Sequence, residues 1–208
     1  MVYRRTRNYE NLQIAFYSGV GRYDMPALEP TEITTKHFLP FNYASSIKET
    51  ACDEVGIHFF LDDYQFQRIW TEPVRYVNML RRFSQVLTPD FSMYADFPIA
   101  IQIYNHYRRQ WFGKLMQDAG IDVIPTVSWS TQESYSFCFD GIPQHAAVAV
   151  SSVGTRRTKE ARQLFLSGYN EMLSRLEPQK ILFAGAIPEG CNGNIVKLKA
   201  FQDIRFKK

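Results

Sequence analysis

The chain has 208 residues, of which 45 % are hydrophobic and 22 % charged, so it is long enough to bury a core and is not a disordered polymer. The net charge of +3 is too small to indicate nucleic-acid binding by itself. Three widely spaced cysteines, without CxxC spacing, argue against a disulfide framework or a zinc site. Because no apolar run approaches the ~20 residues of a membrane helix, and the start lacks a signal-peptide core, we expect a cytoplasmic protein with no membrane contact.

The pattern divides the chain into two parts. Residues 1–35 contain glycines and prolines without a sustained period, which predicts an N-terminal arm, part of which could pack on the body as a short strand or turn. Residues 36–208 predict a single α/β domain, because apolar runs and helical stripes alternate along this part.

The alternation of strands and helices predicts a mostly parallel sheet of five or six strands with crossover helices. Strands are predicted at residues 55–61, 85–87, 122–128, 146–150 and 180–184, and the main helices begin at Pro73, Pro98 and Lys159. A closed eight-stranded barrel usually takes ~250 residues, so we expect an open sheet or a reduced TIM-like barrel.

Acidic residues stand where the predicted strands end. Asp62 and Asp63 follow the first strand, and Asp90 follows the second. Ligands of parallel sheets bind outside the carboxyl ends of the strands, so Asp62 and Asp90 are predicted as a catalytic pair, with Asp140 assisting. Two such carboxyls could work as general acid and base, or hold a divalent metal. The alternative is that each caps the helix that follows it.

A second candidate site is the stretch SSVGTRR after the fourth strand. A glycine turn followed by a helix N-terminus can cradle a phosphate, with Ser152 and Gly154 in the turn and Arg156 and Arg157 adding charge. It matches neither nucleotide fingerprint, and a capped helix with two solvated arginines explains it somewhat better.

Three further residues are predicted to contact substrate together with Asp63. Asn105 and Arg108 belong with His106 and Arg109 to a polar cluster within an otherwise apolar helix, where an Arg–Asp pair with Asp90 or Asp96 would satisfy both charges. We interpret this cluster first as a structural ion pair and only second as a set of side chains that hold the substrate. Trp129 follows the third strand and could stack on a base or sugar, although a single tryptophan is more often part of a core.

The chain closely resembles an uncharacterised family of domains of unknown function found in bacteria, phages and mobile elements. The resemblance covers about residues 36–186 and rests on HFFLDDYQFQRIW, TPDFSMYADFPIAIQIYNHYR, GIDVIPTVSW, FCFDGIP and the SSVG turn. It implies no reaction and no catalytic residues. It does imply a phage or mobile-element setting, and by association nucleotides, nucleic acids or host proteins as partners.

Two functional hypotheses follow. The first is a hydrolase-like or glycosidase-like enzyme that acts on a nucleotide or nucleic acid through the acidic residues. The second is a factor without catalysis that binds nucleic acid or a host protein through its basic pairs and termini. The first is favoured slightly, because a binding protein has less reason to place carboxylates at strand ends. The sequence determines neither the metal requirement nor the oligomeric state.

Overall fold

The computed structural model of the protein describes residues 9–155 and 158–199, apart from the side chains of Thr50 and Ala51. Arg156 and Arg157 therefore lie outside the described residues. The strands are β1 Gly19–Val20, β2 Met25–Pro26, β3 His37–Pro40, β4 Val55–His58, β5 Gln85–Leu87, β6 Val123–Ile124, β7 Ala147–Ser151, β8 Lys180–Ala184 and β9 Ile195–Lys197. The α-helices are α1 Arg68–Thr71, α2 Pro73–Leu80, α3 Ile99–Asp118 and α4 Lys159–Leu176, and 3-10 turns occupy Phe41–Ser46, Glu49–Glu54, Asp63–Gln65 and Gln132–Ser136.

The strands from β3 to β9 form two parallel sheets, one in the order β3-β4-β5-β6 and one in the order β7-β8-β9. A parallel bridge between Thr126 and Ala149 connects them. The Ala149 N–H donates to the Pro125 carbonyl at 2.8 Å, and the Val127 N–H donates to the Ala149 carbonyl at 2.8 Å. The prediction of an α/β fold with parallel strands is confirmed, and the described strands do not close into a barrel.

Pro125 interrupts the regular pairing between the two sheets. It has no N–H to donate to a ladder, so a proline inside a strand favours a break or a bulge. The predicted strand at residues 122–128 is accordingly reduced to Val123–Ile124, followed by the single bridge at Thr126. The strands on both sides of this break still point in the same direction. Their order in space therefore follows their order in the chain.

Alternating side chains divide the core between the two faces of the sheet, as the two-residue period of a strand requires. On one face Leu39, Val86 and Val123 pack with Trp111 and Phe112 of α3. The neighbouring residues along the same strands belong to a separate apolar cluster on the opposite face. That cluster contains Phe38, Leu87, Ile124, Ala149 and Leu182. Around β7 and β8 the helix-facing residues pack against α4 instead.

Residues 9–28 pack on the helices of the domain. The Trp70 indole N–H donates to Glu10 Oε2 at 2.9 Å, and Tyr104 also donates to this carboxylate. The Trp111 indole N–H donates to the Ala15 carbonyl at 3.1 Å. Met25 in the β1–β2 hairpin is completely buried. Within the described part of the chain, no helix is both long and apolar enough to cross a membrane.

Candidate active site

A cavity of about 680 Å³ lies at the carboxyl ends of β4, β5, β6 and β7. Its size is in the range of roughly 300–1,000 Å³ that is typical of small-molecule sites. Its walls come from the segments that follow these strands and from the first two turns of α4. They are residues 60–62, 65, 90, 92–95, 127–130, 151, 153–155, 161, 164 and 165. The parallel strand order thus gathers residues that are far apart in the chain at one edge, as Asp62 and Asp90 were predicted to be.

Asp62 and Asp90 both line this cavity. Asp62 directly precedes the 3-10 turn Asp63–Gln65, yet its side chain makes no capping hydrogen bond to that turn. Its carboxylate is exposed at the cavity wall. Helix capping, the alternative explanation for an aspartate at this position, is therefore not observed for Asp62.

Asp90 is paired with an arginine that is completely buried. Arg109 Nη2 donates to Asp90 Oδ1 at 3.3 Å, and the Asp90 side chain keeps 23 % of its surface exposed. The same guanidinium donates to the carbonyls of Pro89 at 3.2 Å and Phe91 at 2.9 Å, and to the hydroxyl of Ser128. One cation from α3 thus fixes the loop after β5 and connects it to the loop after β6.

The environment of Asp90 raises the pKa of its carboxyl toward neutral pH. Burial raises the pKa of the Asp90 carboxyl to about 6, and the nearby Asp63 carboxylate acts in the same direction. Arg109 and the hydrogen bond from Ser128 lower the pKa and offset part of this effect. A carboxyl with a pKa near 6 exchanges a proton readily at the pH of most cells, which is what general acid–base catalysis requires.

Asp63, Asn105 and Arg108, which were predicted to contact substrate, lie behind the cavity wall. Asp63 accepts hydrogen bonds from the hydroxyl of Ser92 at 2.8 Å and from its backbone N–H at 3.2 Å. Asn105 donates to the Ser92 carbonyl at 2.7 Å, and Arg108 donates to Asn105 Oδ1 at 2.6 Å. None of the three lines the cavity. Their hydrogen bonds fix the position of Ser92, which does line the cavity. The helix that carries Asn105 and Arg108 packs against the core.

Trp129, which was predicted either to stack on a base or sugar or to be part of the core, lies on the cavity wall. Its ring centroid is 5.3 Å from that of Phe165 on α4. It also packs closely against Gly168, where an added Cβ would lie only 2.2 Å from the indole. The indole is therefore held by α4 on one side while part of it remains available to the cavity.

The turn after β7 contributes only part of the predicted phosphate site. Gly154 lines the cavity with a φ of +84°, a left-handed conformation that favours glycine. Ser152 is buried and does not line the cavity, because its hydroxyl donates to the Ala186 carbonyl at 2.6 Å.

Asp140 is not brought to the other two aspartates. It does not line the cavity, and it lies beside the β1–β2 hairpin, where a Cβ on Gly21 would lie 1.9 Å from Asp140 Oδ2. His106 Nε2 lies 2.9 Å from the Asp140 carbonyl oxygen. Burial raises the pKa of the Asp140 carboxyl, but its place in the fold separates it from the Asp62 and Asp90 pair.

The cavity does not have the ligand set of a metal centre. Over residues 9–155 and 158–199, no group of three or more His, Cys, Asp or Glu side chains is arranged to hold a metal ion. The carboxyls that line the cavity fit an acid–base pair.

Of the residues that form the site, Ser128 was not predicted, and Arg109 was predicted only as one of two arginines that could pair with an aspartate. Arg109 is adjacent to the predicted Arg108, and Ser128 ends the same segment that Trp129 follows. Ser128 had a detectable signal, because it stands after β6 as Asp90 stands after β5. Nothing in the sequence distinguishes which of two consecutive arginines on a helix points at the strand ends.

The chain belongs to the family described as Domain of unknown function (DUF4417), whose family model matches residues 17–202. It is similar to the Gene 1 protein of Mycobacterium phage L5, with 38 % identity over 177 residues, 85 % of this chain and 77 % of that protein. It is also similar to the Gene 1 protein of Mycobacterium phage D29, with 37 % identity over 191 residues, 92 % of this chain and 70 % of that protein. No solved structure matches the chain significantly. The predicted membership in a family of unknown function with phage members is confirmed.

Proposed function

We propose that the protein is an enzyme that hydrolyses a glycosidic bond in a nucleotide or in nucleic acid, with Asp90 as general acid and Asp62 as general base. One observation carries this proposal: two carboxyls in different environments line the same cavity at the carboxyl ends of parallel strands. Glycosidases use such a pair, one carboxyl that keeps its proton near neutral pH and one that is ionised.

In the proposed reaction the protonated Asp90 carboxyl donates its proton to the leaving-group atom as the bond from that atom to the sugar carbon breaks. The Asp62 carboxylate removes a proton from a water molecule, whose oxygen forms the new bond to the same carbon. Turnover leaves Asp90 ionised and Asp62 protonated, and exchange with solvent restores both. Arg109, which contacts Asp90 Oδ1, stabilises the carboxylate that forms at this position.

The substrate class rests on the walls of the cavity and on the relatives. Trp129, Tyr94 and Phe60 offer ring surfaces to a base or sugar. The phage setting of the similar proteins adds weight to a nucleotide or nucleic acid by association alone.

The test is to incubate the purified protein with a panel of nucleosides, nucleotides and single-stranded and double-stranded nucleic acid. Released base and new reducing sugar ends are then measured by liquid chromatography and mass spectrometry. We expect release by the unaltered protein and a loss of roughly 100-fold or more in Asp62→Asn and Asp90→Asn. A panel in which no glycosidic bond is cleaved would rule the proposal out.

The second hypothesis, nucleic-acid or host-protein binding through basic residues, has no comparable support in the described part of the chain. Arg81 Nε donates to the Ala119 carbonyl at 3.0 Å, and Arg82 donates to the Ala44 carbonyl, so both contribute to packing within the fold. Binding through phosphate contacts would weaken steeply with added salt, which separates this hypothesis from the first.

A further inference from the structure

We infer that the cavity binds an uncharged ring that carries hydroxyl groups, as a nucleoside or a glycoside does, and that the turn at residues 151–155 does not hold a phosphate. The inference rests on the proposed function for its site and adds the class of ligand. If the substrate is a nucleotide, the cavity therefore recognises its sugar and its base and not its phosphate.

Three backbone N–H groups that a phosphate cradle could use, those of Val153, Thr155 and Ala161, already have acceptors within the chain. The Val153 N–H donates to Ser151 Oγ at 3.2 Å, and the Thr155 N–H donates to the Ser152 carbonyl at 3.2 Å. At the start of α4 the Ala161 N–H donates to Thr158 Oγ1 at 3.1 Å. An anion site at a helix N-terminus depends on free N–H groups, so a phosphate here would have to displace these bonds.

Two hydroxyl groups of the turn, those of Ser152 and Thr155, are also engaged. The Thr155 hydroxyl donates to the Ser152 carbonyl at 2.8 Å, and the Ser152 hydroxyl donates to the Ala186 carbonyl at 2.6 Å. Each hydroxyl has a single proton to donate, so neither retains one for a phosphate oxygen. Both of these hydroxyl groups therefore serve the fold.

The charges on the described cavity wall disfavour an anion. Asp62 and Asp90 line the cavity, and no lysine or arginine within the described part of the chain lines it with them. The nearby cation of Arg109 is completely buried and already shared among Asp90 and two backbone carbonyls. A carboxylate at Asp62 accepts hydrogen bonds and repels phosphates whatever the protonation of Asp90, so this wall favours a ligand that donates hydroxyl protons.

The remaining wall residues combine ring faces with small polar groups. Aromatic side chains can cover the apolar face of a bound ring, and serine and glutamine side chains can pair with its hydroxyl groups. The aromatic residues are Phe60, Tyr94, Trp129 and Phe165, and the polar residues include Gln65, Ser92, Ser128, Ser130 and Ser151. Tyr94 is 56 % exposed and stands at the mouth, where it can contact the part of a ligand that extends outward.

Calorimetric titration of the full chain at neutral pH and fixed ionic strength tests the inference. The probes are adenosine, uridine and methyl β-glucoside, together with the 5′-monophosphates of the two nucleosides, the 6-phosphate of the glucoside and inorganic phosphate. We expect at least one uncharged probe to bind, and its phosphorylated counterpart to bind about tenfold more weakly, a difference of about 1.4 kcal/mol. Whether a nucleoside or the glucoside binds identifies the source of the ring.

Asp62→Asn provides the matched electrostatic control. Removing this negative charge should strengthen binding of the monophosphate and narrow its difference from the nucleoside, because repulsion at the wall is reduced. Unchanged discrimination in this variant would contradict the charge argument.

Two results would overturn the inference. One is tighter binding of a monophosphate or of inorganic phosphate than of the uncharged probe, with that preference lost in an R156Q/R157Q double variant. The other is no binding of any uncharged probe. A nucleoside that binds, while no nucleoside, nucleotide or nucleic acid of the activity panel is cleaved, would instead rule out the proposed hydrolysis and leave the ligand class intact.

Discussion

Arg109 donates to Asp90 Oδ1 at 3.3 Å from a side chain that has no solvent-exposed surface. The same guanidinium donates to the carbonyls of Pro89 and Phe91, the residues on either side of Asp90. The conformation of the loop after β5 and the charge of Asp90 are therefore coupled. A change in the loop conformation must alter the hydrogen bond to Asp90, and a change in the charge of Asp90 must alter the hydrogen bonds that hold the loop.

Arg109→Met should lower the free energy of unfolding by about 3–5 kcal/mol, because it leaves a carboxylate and two carbonyls without their donor. Denaturant unfolding followed by circular dichroism measures this loss. Arg75→Met is the control, since Arg75 pairs with Glu72 on an exposed helix surface and its removal should leave stability nearly unchanged. Equal stability of the two variants would show that the buried pair does not hold the loop.

Asp62→Asn should abolish turnover while leaving the melting temperature close to that of the unaltered protein. The reason is that the Asp62 side chain is exposed on the cavity wall and makes no capping hydrogen bond. Thermal unfolding and product release are measured on the same preparation. A large drop in melting temperature would instead indicate that Asp62 serves the fold.

The stability of the protein should depend on pH through Asp90. Its folded-state pKa of about 6 is above the ordinary value of 3.8, so the folded state binds this proton more tightly than the unfolded state does. The resulting stabilisation is complete below the ordinary pKa and is lost as pH rises through about 6, by at most on the order of 3 kcal/mol. Asp90→Asn should lack this dependence when melting temperatures are compared from acidic to neutral pH. Parallel curves for the two proteins would contradict the assignment.

The pH dependence of kcat/KM should carry the signature of the same group. If Asp90 is the general acid, only its protonated form donates to the leaving group, so the rate should fall as pH rises above about 6. The expected slope is about tenfold per pH unit well above the pKa. A rate that rises through this range would show that Asp90 works as a base.

Gly168→Ala tests the packing behind Trp129. A Cβ at residue 168 would lie 2.2 Å from the indole, so either the ring moves toward the cavity or α4 shifts. We expect a loss of about 1–3 kcal/mol in stability and weaker ligand binding. Ser167→Ala, at an exposed position on the same helix, is the matched control. Identical melting and binding in the two variants would show that the contact with Trp129 is unimportant.

The sequence was most informative where short-range chemistry determines structure. The helix predicted to begin at Lys159 does begin there and runs to Leu176, because Phe165, Tyr169 and Met172 form its buried stripe and Thr158 caps it. Asp62 and Asp90 reach the same cavity because each follows a strand, and strands of one direction end at one edge.

Two features of the site could not be predicted from the sequence. One is the direction in which a side chain points around a helix axis, and the other is the path of a loop. Adjacent positions on a helix point about 100° apart, so Arg108 and Arg109 have different surroundings. The order of the polar residues in the sequence does not reveal which of the two arginines contacts Asp90. Asp140 lies in a loop before β7, and a loop has no periodicity from which its direction could be derived. The hydrogen bonds that occupy the turn at residues 151–155 are likewise invisible in its composition.

The packing of residues 9–28 sets a practical limit on how the protein can be shortened. A recombinant chain that starts at residue 36 would deprive the indole N–H groups of Trp70 and Trp111 of their acceptors, Glu10 and Ala15, and expose both rings to water. Such a product would tend to aggregate through these newly bared aromatic surfaces. Expression should therefore begin ahead of Tyr9, even though the family match starts at residue 17.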